Sequence, residues 1–123
     1  MFQRLMIHMG FPLVAVGTFA LDTVETPFGR VEDVLGGSGV YFSVAASLFT
    51  RCGVVGVVGS DFPQEHLRFL EGCGVDLCGV EVADGMTFRW WGAYEHDMNA
   101  AKTCLLYTSD AADDLLCVDL GGR

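Results

Sequence analysis

GGSGVYFSVAASLFTRCGVVGVVG, Gly36 to Gly59, is the stretch whose reading decides the fold. Its opening, Gly36-Gly37-Ser38-Gly39, leads into a segment from Val40 to Arg51. There Val40, Ser43, Val44, Ser47 and Leu48 recur at helical spacing with small residues between them. Cys52-Gly53 is expected to end that helix, and Val54 to Val58 is a short continuous apolar run closing at Gly59. A run of that kind fits a parallel strand buried on both faces. The whole stretch therefore spells a glycine turn, a helix and a buried strand.

The same alternation extends outward on both sides. Upstream, Leu13-Val14-Ala15-Val16 is a second short apolar strand ending at Gly17-Thr18. Between it and the glycine turn, Asp22 to Leu35 alternates apolar and polar side chains around Pro27 and Gly29, as a two-stranded flap with one wet face would. Downstream, Asp61 stands as a helix N-cap, Pro63 starts the helix, and Gln64 takes the capping-box position. That helix is expected to run to about Glu71, with Gly72 and Gly74 stopping it and Val75 to Val82 returning as a strand. After Ala83-Asp84-Gly85, the segment MTFRWWGAYEHD is rich in aromatic and β-branched residues and reads as a second β excursion able to pair with the flap. Strand, flap, helix, strand, helix, strand implies right-handed crossovers and a parallel α/β sheet.

Composition agrees with one compact domain. A chain of 123 residues buries roughly two-thirds of its unfolded surface. The residues are 51% hydrophobic and 19% charged, with 16 glycines, as in a turn-rich globular protein. The net charge of -9 leaves no basic cluster to displace phosphate counterions, so nucleic acid is excluded as a partner and a small, weakly polar ligand is favoured. Five cysteines, an odd number without a CxxC pair, read as reduced cytoplasmic thiols. His8, Gly10 and Pro12 break the apolar run near the start, so it fits neither a signal peptide nor a membrane span. Met9 offers an alternative start to Met1.

Asp22, just past the first strand, and Gly36-Gly37, at the entrance to the first helix, fall at the end of a parallel sheet where ligands usually bind. A carboxylate there accepts hydrogen bonds from adjacent sugar hydroxyls, and glycines let a ring approach the backbone. Turn chemistry accounts for the same residues equally well. Trp90, Trp91 and Tyr94 offer stacking surfaces for a sugar or base, or simply the packed side of a flap. No dinucleotide fingerprint is present, since Phe42 stands where its third glycine would be, and no P-loop occurs. His8, His66 and His96 are scattered and carry no catalytic assignment, and no metal-ligand spacing is found.

Four stretches in sequence, GTFALD (Gly17 to Asp22), LGGSGVYFSVAASL (Leu35 to Leu48), VGVVGSDFP (Val55 to Pro63) and GVDLCGVEVADGMTFRW (Gly74 to Trp90), resemble the PfkB-type, ribokinase-like carbohydrate kinases in order and spacing. The resemblance implies an incomplete Rossmann-like parallel sheet flanked by helices, with a small β lid. Residues 1–103 would form the N-terminal part of such a domain, with lid strands at about 23–34 and 86–96. By the same resemblance, the aspartate matched by Asp22 and the glycines matched by Gly36 and Gly37 contact the sugar. Phe19, Tyr41, Phe88 and Trp90 are further candidates for lining its site. Tyr41 departs from the asparagine usual in the family, and the spacing before Gly59 is about a residue short.

The family's catalytic aspartate sits in a GAGD-like segment that this sequence does not contain. The chain alone is therefore expected to be inactive, with ATP and Mg²⁺ bound only by a full-length parent. A nucleoside kinase of the same family is one alternative reading. A non-catalytic binding or dimerisation module is another, and some relatives use the lid as a homodimer clasp. Residues 104–123, CLLYTSDAADDLLCVDLGGR, resemble a translated sequencing-adapter tail and are expected not to be native.

Overall fold

The computed structural model describes residues 13–107, so the expectations about Met1, His8, Met9 and most of the 104–123 tail lie outside the described residues. The elements are β1 (Leu13–Val16), β2 (Ala20–Thr26), β3 (Gly29–Gly36), α1 (Ser38–Ser47), β4 (Cys52–Gly59), α2 (Gln64–Gly72), β5 (Val75–Ala83), β6 (Arg89–Tyr94) and β7 (Ala101–Tyr107). They form two sheets. The first is three-stranded in the order β1-β4-β5, and both of its pairings are parallel. Because both crossovers step the same way across it, right-handed connections put α1 and α2 on one face. Ala15, Cys52, Val54, Val58 and Val75 are buried with Val40 of α1 and Leu70 of α2, while Val14, Val16 and Val57 are exposed.

The second sheet, the expected lid, has the order β3-β2-β6-β7. β2 and β3 form the expected hairpin around Pro27-Phe28, and β6 joins the other side of β2 in parallel, Asp22 opposite Trp90. β7, which the sequence reading did not separate out, pairs antiparallel with β6 and runs through residues 103 and 104.

Two local expectations give way to longer-range contacts. The first helix ends at Ser47, and Cys52-Gly53 belongs to β4, where Cys52 is fully buried and Leu13 pairs with it. Asp61 is not a helix cap. Pro63 holds the N-cap position of α2 without any side-chain cap bond. The Asp61 carboxylate turns to the lid instead, accepting 2.7 Å hydrogen bonds from the Thr87 backbone N–H and from Thr87 Oγ1, and a 2.6 Å bond from Arg89 Nη1. Thr87 is fully buried, and its hydroxyl oxygen also accepts the Gly59 N–H at 2.9 Å. This cluster joins the end of β4 to the start of β6. Burial pushes the Asp61 carboxyl up, but the bonds from Arg89 and Thr87 and the charge of Arg89 outweigh it and bring it to about 2.

α1 is capped from outside itself. Gly37, at its N-cap, has φ 101 and no side chain to offer. Thr18, in the loop after β1, supplies the acceptors: its Oγ1 takes the Ser38 N–H at 3.0 Å and its carbonyl takes the Gly39 N–H at 2.9 Å. Ser38 Oγ accepts the Thr18 N–H at 3.2 Å in return.

Thr18→Val is expected to lower stability by about 1 kcal/mol, read as a lower urea midpoint at unchanged slope, because the Ser38 N–H at the helix end loses its side-chain acceptor. For Asp61, a carboxyl depressed in the folded state contributes stability above its unfolded value of 3.8 and loses it as pH falls toward 2. Wild-type stability should therefore drop by about 2 kcal/mol across that window. Asp61→Asn should be weaker at neutral pH and lack most of that acid slope, and equal slopes for the two proteins would remove Asp61 as the cause.

Candidate ligand site on the lid

Register decides which predicted residues meet. Asp22, Trp90 and Val34 are cross-strand partners, and Ala20 pairs with Gly36 two residues back along the same face. The Asp22 carboxylate lies directly over Gly36, where a Cβ would overlap it. Trp90 lays its indole ring across Gly92 on the same sheet face. A half-buried carboxylate leaning over the glycine turn that enters α1 and an aromatic plane leaning the other way, over Gly92, thus share one sheet face on adjacent strands. Burial raises the Asp22 carboxyl above its ordinary 3.8. Hydroxyl donors brought to it would offset that desolvation and favour the ionised form.

The other candidates fall in different surroundings. Gly37 is held by packing: its φ of 101 and the Thr18 carbonyl beside its missing Cβ account for the glycine without a ligand. Phe19 is 1% exposed and packs into the core, its ring 6.0 Å from Phe62 in an edge contact. Tyr41 sits on the first turn of α1 and is 64% exposed. Phe88 is half-buried just before β6, and its carbonyl accepts the Leu21 N–H at 3.0 Å, fixing β6 beside β2. Sequence reasoning missed Thr18 and Ser38, whose reciprocal bonds set the glycine turn under Asp22. A threonine two residues past the first apolar run was the available signal, but its partner lies 20 residues away.

Among the described residues, no group of three or more His, Cys, Asp or Glu gathers to hold a metal ion. Cys52 and Cys73 are free thiols. No helix among the described residues is long and apolar enough to cross a membrane.

No protein-family model matches the chain. A cytidine kinase of Thermococcus kodakarensis is 33% identical over 86 residues, which is 69% of this chain and 31% of that protein. Among solved structures, the nucleoside kinase of Methanocaldococcus jannaschii, an archaeal member of the ribokinase family, matches with TM-score 0.65 at 20% identity, over 76% of this chain and 36% of its own. The Burkholderia thailandensis nucleoside kinase in complex with inosine matches with TM-score 0.67 at 18% identity, over 76% and 35%. The ribokinase of Cryptococcus neoformans in complex with ADP gives 0.66 at 20%, over 76% and 33%. The chain spans about a third of the length of these relatives. It has the ribokinase-like fold, and its resemblance is to the kinases of that family.

Proposed function

We propose that this chain binds the sugar ring of a nucleoside or free sugar, as the acceptor-binding part of a kinase that transfers the γ-phosphate of ATP to a sugar hydroxyl. The observation that carries this reading is the Asp22 carboxylate, half-buried over Gly36 and beside Trp90 on one lid face. A sugar supplies what that pair lacks: hydroxyls to donate to the carboxylate and an apolar ring face to lie on the indole. The cytidine kinase relative favours a nucleoside over a free sugar, with the base adding stacking area.

Transfer also requires the donor phosphates to be held in line and the developing charge to be stabilised. The described residues carry no assignment toward either task. The whole protein would complete the reaction, and the 123-residue chain would bind the acceptor without phosphorylating it.

Calorimetric titration of the chain with cytidine and with ribose tests this. Wild type is expected to bind, cytidine more tightly. Asp22→Asn should weaken both roughly tenfold by removing the ionised acceptor. Gly36→Ala should do the same, since its methyl group takes the place of the carboxylate. Affinity should rise as pH passes the raised Asp22 value and level off above it. Equal affinities for wild type, Asp22→Asn and Gly36→Ala would rule out the lid face as the site.

A further inference from the structure

Arg89 is the residue before Trp90, and its guanidinium reaches two carboxylates on different bodies. Nη1 is 2.6 Å from Asp61 Oδ2 at the end of β4, and Nε is 3.3 Å from Asp33 Oδ1 in the lid. The Arg89 side chain is 18% exposed, Asp61 22% and Asp33 58%, so one half of the bridge is sheltered and the other stands in solvent. Asp33 itself is unusual, being the sole non-glycine residue with positive φ, 52, among the described residues. It lies in a bulge where Glu32 and Asp33 of β3 oppose Thr23 of β2, between the Asp22–Val34 and Val24–Val31 pairs. Bulges of this kind re-aim a side chain and bend the strand. Here the bend also presents the Asp33 carbonyl to α2, where it accepts a hydrogen bond from His66 Nε2 at 3.2 Å.

β2, which carries Asp22, is thus flanked by two strands that are each tied to the core: β6 through Arg89 and Thr87, and β3 through Asp33. We propose that Arg89 is a positioning residue for the ligand face: by bridging Asp61 and Asp33 it holds β3 and β6 at a set tilt about β2, and so fixes where Asp22 stands over Gly36 and Trp90 over Gly92. The proposal deepens, and rests on, the reading of that face as the sugar or nucleoside site. Only a planar fork can serve both carboxylates at once, so lysine is not a substitute although it keeps the charge. The Asp33 half of the bridge is the releasable one, because an exposed pair contributes little to stability while still setting geometry.

The test uses the full chain in a Trp91→Phe background, so that fluorescence reports Trp90 alone. Asp33→Asn keeps a side chain that tolerates positive φ and removes only the charge. It is expected to leave the urea midpoint nearly unchanged, roughly double acrylamide quenching of Trp90, and weaken cytidine binding roughly three- to tenfold. Arg89→Lys should show the same rise in quenching despite retaining the charge. Wild-type quenching in both variants overturns the proposal, whatever happens to binding. If quenching rises in both variants but wild type binds neither cytidine nor ribose, the positioning role stands and the ligand assignment is what fails.

Discussion

Asp61 is where two sheets with different requirements are made into one body. The parallel sheet needs helices over its apolar face, and the lid needs its strands held at an angle to that sheet. A single carboxylate at the end of β4 meets the second need by accepting from the backbone and hydroxyl of Thr87 and from the guanidinium of Arg89. Every acceptor position used there is charge-assisted or buried, so the joint is strong for its size. The lid's other ties, the Leu21 bond to Phe88 and the Asp33 contacts, act on strands that this joint has already placed.

The candidate ligand face depends on that placement. Asp22 and Trp90 come from strands far apart in the chain, and neither strand belongs to the parallel sheet. They become neighbours because β6 enters beside β2 in register, with Leu21 opposite Arg89. Below Asp22, the glycine turn is shaped by Thr18 and Ser38 rather than by anything on the ligand side. The floor of the site is therefore set by core packing and its wall by the lid.

Much of the architecture was legible because it is written in local periodicity. Val54 to Val58 is a strand as its apolar run suggests, but helices cover only one face of the sheet, so Val57 is exposed where burial on both faces was expected; the alternation from Asp22 to Leu35 around Pro27 gave the hairpin directly. The family likeness drawn from four short motifs agrees with the fold found in solved ribokinase-family members. What escaped was the non-local part. Asp61 followed by Pro63 and Gln64 looks like a helix start, and only the presence of Thr87 and Arg89, 26 and 28 residues on, reveals its other use. Phe19 looked like a site residue beside Asp22, yet from the loop before β2 its ring packs over Gly56 and against Phe62 in the core. Asp33 gave no signal at all, since its bulge exists only relative to β2.

The parallel pairing of β2 with β6 also shapes how the molecule assembles. Its partners lie roughly seventy residues apart in the chain, with the β4 and β5 region of the core between them. The β2–β3 hairpin is local and forms on the microsecond scale, about 1–10 μs for such elements. It must then wait, one edge of β2 unpaired, until β6 arrives. Until β6 pairs with it, the strand bearing Asp22 keeps an open edge that can pair with another chain.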